Sequence, residues 1–156
     1  MRVPVPLSEM LQGMKVQSRD EPCYLDAVMG RVEQVSKHDL RAAHNYERDG
    51  VPGKPCPEIE LARRVQTEQQ NFLLLPTPYE IHEYGIMERF CRTIEDGWMS
   101  ERLFAAITGP GAFRRFRNES RKLGIDDDWA EYRLAALKQI AIQWCTDNEV
   151  EYVDDI

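Results

Sequence analysis

Thr108-Gly109-Pro110-Gly111-Ala112-Phe113-Arg114-Arg115-Phe116-Arg117 places a proline between two glycines directly ahead of a run rich in arginine and phenylalanine. Glycine reaches positive φ without a steric penalty and proline cannot continue a helix, so the triplet reads as a corner between helices. Before it, Met99, Leu103, Phe104 and Ile107 recur at helical spacing. After it, Ala112, Phe113, Phe116 and Leu123 do the same, and Gly124 closes the second helix. Helix, corner and helix in succession make the C-terminal half an α structure.

The pattern extends in both directions. Upstream, Pro76-Thr77-Pro78 is a helix start, because proline suits a first turn where its missing N–H costs nothing. Tyr84, Met87, Phe90, Cys91, Ile94 and Trp98 follow as one apolar stripe expected to be buried. Downstream, Asp126-Asp127-Asp128 supplies a cap and a negatively charged first turn. Trp129, Tyr132, Ala136, Leu137, Ile140, Ala141 and Trp144 then mark a last buried stripe, ending near Asp147-Asn148.

The N-terminal part reads differently. Leu7, Met10, Leu11 and Met14 suit a short helix, and residues 23–35 suggest two strands around a turn at Gly30. Residues 39–48 and 58–70 have helical character, separated by Gly50-Val51-Pro52-Gly53-Lys54-Pro55-Cys56-Pro57, whose glycines and prolines fit neither helix nor strand interior. The run Phe72-Leu73-Leu74-Leu75 is a short apolar piece, and residues 149–156 are an acidic tail with the makings of a short strand. The fold class expected is mainly α: a C-terminal group of about four helices with a small N-terminal α/β-hairpin part. A single domain over residues 1–156 is expected, with a hairpin-containing part at about 1–49, a Pro/Gly-rich loop at 50–57 and a helical part at 58–148.

A chain of 156 residues can bury a substantial core without disulfides or metal. Its apolar runs fall far short of the roughly 20 residues of a membrane span, and a secretory pattern is lacking, so a cytoplasmic location with no membrane contact is expected. Cys23, Cys56, Cys91 and Cys145 lack metal-ligand spacing and read as reduced thiols; Cys91 and Cys145 fall on apolar stripes as core filling. The net charge of −7 is confined to residues 126–156, while the preceding residues balance 18 basic against 18 acidic side chains. That balance weighs against a dedicated nucleic-acid binder while leaving room for a local basic footprint.

Four segments taken together carry a family resemblance: Tyr24-Leu25-Asp26 with Gly30 beyond it, Glu83-Tyr84-Gly85-Ile86-Met87-Glu88-Arg89-Phe90, Gly109-Pro110-Gly111-Ala112-Phe113-Arg114-Arg115-Phe116, and Ile140-Ala141-Ile142-Gln143-Trp144. In this order they resemble an uncharacterised bacterial family of the UPF class, marked by a G-x-G-A-F-R-R-F corner. The resemblance implies a helical protein with a small N-terminal hairpin and brings no established activity. Where members of that family carry a basic residue between the glycines, this chain has Pro110, which removes a cation and an N–H from the corner.

The sharpest candidate site is an anion or nucleic-acid contact at Gly111, Arg114, Arg115, Arg117, Arg121 and Lys122, where a helix N-terminus meets a basic face. The plainer reading, favoured on the charge arithmetic, is that the glycines only turn the chain and the arginines pair with the acidic segment that follows. Phe113 and Phe116 belong on this reading to the apolar stripe. A metal-dependent hydrolase around Glu80, His82 and Glu83 is a further alternative, weakened because Ile86 stands where a zinc-protease helix needs its second histidine. No catalytic residue, metal ligand or cofactor is assigned. The expected function is therefore a cytosolic, non-enzymatic binding or interaction protein whose partner is another protein, with a nucleic-acid-associated regulator using residues 111–123 as the alternative.

Overall fold

A computed structural model of the chain describes residues 1–49 and 56–156. Most of the Pro/Gly-rich stretch at 50–57 thus lies outside the described residues; Cys56 is exposed, and Pro57 is the first residue of a helix. The protein is mainly α, and its strands all belong to the first of two compact units, Met1–Glu80 with Ile140–Ile156 and Ile81–Gln139.

In the first unit, β1 (Val5–Pro6) leads directly into α1 (Leu7–Val16), followed by the hairpin of β2 (Cys23–Asp26) and β3 (Arg31–Gln34). The expected turn at Gly30 is present, and its chemistry is specific. The buried Asp26 carboxylate accepts the backbone N–H groups of Val28 and Met29, each at 3.1 Å, while Gly30 sits at φ +67°. A Cβ at Gly30 would lie 2.6 Å from the Val3 carbonyl oxygen and 2.8 Å from that of Pro4, so only glycine fits. The apolar run at 72–75 contributes β4 (Phe72–Leu74), which pairs antiparallel with β2 to give the order β3-β2-β4 and sets Leu25 opposite both Val32 and Leu73. Three residues are too few to show a strand's alternation in sequence.

α2 (Lys37–Asp49) starts behind Ser36, whose Oγ accepts the Asp39 N–H at 3.0 Å. α2 and α3 (Pro57–Thr67) contribute Ala43, Ala62 and Val65 to a cluster with Val35 and Phe72. The acidic tail does form a strand, β5 (Tyr152–Val153), lying parallel to β1. Pro6, at the N-cap of α1, has no side chain able to cap, and Asp155 supplies the function from the far end of the chain. Its Oδ1 accepts the Ser8 N–H at 2.9 Å and its Oδ2 the Ser8 hydroxyl, which together hold the carboxyl below its ordinary value.

The start signal at Pro76-Thr77-Pro78 is realised as α4 (Pro78–Ile81), closed by a capping box in which the Glu80 N–H reaches Thr77 Oγ1 and Glu80 Oε1 accepts the Thr77 N–H at 3.1 Å. The helix goes no further, because His82 adopts φ +50°.

The second unit holds α5 (Glu83–Thr93), α6 (Gly97–Ala106), α7 (Ala112–Lys122) and α8 (Asp126–Asp147) as far as Gln139. Met87, Phe90, Cys91, Leu103, Ile107, Ala112 and Phe116 form its core. Phe90, Phe116, Trp129 and Tyr132 make up an aromatic cluster, with Phe116 edge-on to Trp129 at a centroid distance of 4.9 Å. The Tyr84 hydroxyl donates to the Ile107 carbonyl at 2.9 Å and ties α5 to the end of α6.

Two expectations about the apolar stripes are corrected. Trp98 does not continue the α5 stripe: α5 ends at Thr93, Asp96 caps a separate α6, and Trp98 is 61% exposed beneath the Arg102 guanidinium. Phe113 does not anchor α7 in the core and is 53% exposed. No helix among the described residues is long and apolar enough to cross a membrane.

Candidate functional site

The corner between α6 and α7 turns through Gly109 at φ +82° and Gly111 at φ +77°, the latter being the N-cap of α7. The last residue of α6 and the corner after it present carbonyls without intrahelical partners, and one side chain collects four of them. Arg115 donates from Nε to the Ala106 carbonyl at 2.9 Å, from Nη2 to Gly109 at 3.2 Å and also to Thr108, and from Nη1 to Pro110. Four of the five guanidinium donors are used in this way, so the exposed Arg115 side chain is largely committed to the corner. A Cβ at Gly111 would approach Arg115 Nη1 to 3.2 Å.

The other basic residues are placed differently. Ala112, Phe116 and Ser120, at i, i+4 and i+8, face the interior, so Arg114, Arg117, Arg121 and Lys122 project from the outer side of α7, with Asn118 among them. All four cations are exposed, and none forms an ion pair among the described residues. The expected pairing with the acidic segment is not found in this unit: Asp126, Asp127, Asp128 and Glu131 stand exposed in solvent. Glu119, the one acid on α7, is taken by Arg102, and that hydrogen bond holds its carboxyl below the ordinary range.

Beside the stripe lies a cleft of about 210 Å³. Met87 and Phe116 contribute its apolar lining; Phe113, Trp129, Arg117 and the Glu83–Arg133 ion pair complete it. Sequence reading placed Arg117 here only as a member of the basic face. It missed Phe113, Trp129 and Arg133 as site residues, although a helical wheel centred on Ala112, Phe116 and Ser120 puts Phe113 at the edge of the buried sector.

The residues of the hydrolase alternative are occupied elsewhere. Glu80 closes the capping box with Thr77, Glu83 pairs with Arg133, and the exposed His82 ring lies against Gly85, where a Cβ would come within 2.8 Å of Nδ1. No group of three His, Cys, Asp or Glu side chains among the described residues could hold a metal ion. Cys91 is buried in the core with its thiol pushed up to about 11 by desolvation, an inert position for a nucleophile.

Fold and site together define a helical protein with a small sheet and an outward basic helix face. The chain is similar to a UPF0158 protein of Pseudomonas aeruginosa, with 24% identity over 97 residues, 62% of this chain and 63% of that protein. The match therefore spans somewhat less than two thirds of the relative's length, and it supports kinship with an uncharacterised bacterial family. No family model matches the chain, and no solved structure does.

Proposed function

We propose that this chain is a non-enzymatic binding protein of the cytoplasm whose contact surface is the outer face of α7, directed at an anionic partner. One observation carries the reading: Arg114, Arg117 and Arg121 stand exposed on a single helix face and form no ion pair among the described residues, and Lys122 adjoins them on the side of Glu119. Cations held together without compensation repel one another, and an anion from outside relieves that repulsion. Gly111 and Arg115 shape and brace the corner in this reading and do not touch the partner. The engagement of Glu80 and Glu83 in structural bonds leaves the hydrolase alternative without support.

Retention on immobilised heparin tests the proposal. A contact made by four cations weakens with salt along a slope of about −3 in log–log coordinates, on the single-strand scale of about −0.7 per phosphate neutralised. The Arg114→Glu/Arg117→Glu/Arg121→Glu variant is expected to elute with the void while keeping its helical circular dichroism. Failure of the unmodified protein to bind at low salt would sink the reading.

A further inference from the structure

We infer that the cleft beside α7 captures one unstacked base of a single-stranded nucleic acid whose phosphates follow Arg114, Arg117 and Arg121. The inference rests on α7 being an anion-contact face and deepens it by naming the partner. Along the helix axis the three arginines span about 10 Å, at about 1.5 Å per residue, a track for a polyanionic chain and longer than one small anion needs. Arg117 belongs to both features, so a phosphate it holds lies beside the cleft.

The cleft itself asks for a flat ring. At about 210 Å³ it is smaller than the roughly 300–1,000 Å³ of a site for a drug-sized molecule. Phe113, half out of the core, offers an aromatic surface that the interior does not use, while Trp129, whose ring packs on Phe90 and Phe116, lines the same cleft. Stacking on such rings tolerates any base, because every base has a π-face. The Glu83–Arg133 pair adds an acceptor and donors on one wall, the complement of a base edge, and Arg133 keeps Glu83 from opposing the phosphate. A duplex satisfies only half of this arrangement. Its bases are paired and stacked inside, so it would meet the arginine stripe and leave the cleft empty.

Fluorescence anisotropy with a short labelled single strand, the matching duplex and the base-free polyanion heparin tests the inference on the full chain. The single strand is expected to bind about tenfold more tightly than the duplex. Phe113→Ala should lose about tenfold or more for the single strand and nothing for heparin, and Phe113→Leu should lose nearly as much because it keeps the apolar volume without the ring. Arg117→Ala should weaken all three probes. Unchanged single-strand binding by Phe113→Ala, or equal binding of all three probes, would overturn base capture and leave α7 a plain anion face. Tighter binding of an acidic peptide bearing an aromatic residue would overturn it in favour of a protein partner. Binding to none of these probes at low salt would remove the proposed function as well.

Discussion

Replacing Arg115 with alanine removes a brace that joins the end of α6 to the start of α7. The guanidinium makes four hydrogen bonds, to the carbonyls of Ala106, Thr108, Gly109 and Pro110. Bonds from a charged donor reach about 1.5–3 kcal/mol each when buried, but Arg115 is exposed and its carbonyls can be taken over by water, so about 0.5 kcal/mol each is the fitting value. The total is about 2 kcal/mol. That lowers the melting temperature by about 4–8 °C if the chain unfolds as one body, and by about twice that if the second unit melts alone. Arg114→Ala, one residue earlier on the solvent side, is the control and should stay within about 0.5 kcal/mol. Arg115→Lys should fall between them, since an ammonium is a point charge that cannot span the fork of carbonyls. Urea denaturation followed by circular dichroism reads the difference, and exchange of the Ile107 and Thr108 amides, which bond to the Leu103 and Ala105 carbonyls, should quicken in Arg115→Ala. Equal stabilities for the Arg114 and Arg115 alanine variants would refute the brace.

Ser120→Ala should stabilise the protein by about 0.5–1 kcal/mol in the same assay, because the buried Ser120 hydroxyl has no hydrogen-bond partner among the described residues and alanine is the better helix former. The Asp155 carboxyl is held below 3.8 by its bonds from Ser8, so the stability it lends is present above that pH and drains away as pH falls through the lower folded value; Asp155→Asn should abolish this acid-side dependence and speed exchange of the Ser8 amide at neutral pH. The Cys91 and Cys145 thiols titrate at about 11 against an ordinary 9.0, so their contribution is full below pH 9.0 and is lost as pH rises through about 11. A thiol reagent at mildly alkaline pH should accordingly modify exposed Cys56 quickly and leave Cys23, Cys91 and Cys145 until the chain unfolds.

The sequence made the end of α6 and the helices α7 and α8 legible because they begin or end on residues with few alternatives, whereas the break between α5 and α6 carries no proline and no glycine at positive φ. Gly109, Gly111 and Gly124 all take positive φ, and Asp126-Asp127-Asp128 fill the first turn of α8. The sheet was half legible. Asp26 and Gly30 announce a turn locally, whereas β4 is held by a partner strand nearly fifty positions away and its three residues carry no period of their own. The Asp155 cap on α1 was hidden for the same reason: a Pro6 N-cap signals only that something else must bind the Ser8 N–H. At the site, charge counting suggested neutralisation of α7 by the acidic segment, but total charge does not fix which groups come within contact distance. Reach and helix phase decide that, and on α7 they leave only Glu119 and its partner Arg102 in an ion pair among the described residues.

Helix phase also explains why the Phe113–Arg117 stretch resists interpretation as one motif. At about 100° per residue, five consecutive positions point in five directions, and each is assigned by what it meets. Phe116 meets the aromatic core and Arg115 the carbonyls of the corner, while Arg114 is exposed to solvent and Phe113 and Arg117 line the cleft. Two arginines adjacent in sequence therefore act in unrelated ways, one on stability and the other, in the proposed function, on affinity. Substituting both at once would confuse the two effects: a loss of binding in the double variant could arise from a loosened corner that moves α7. Separate variants at Arg114 and Arg115, measured for melting and for anion binding alike, divide the segment along the line that the geometry draws.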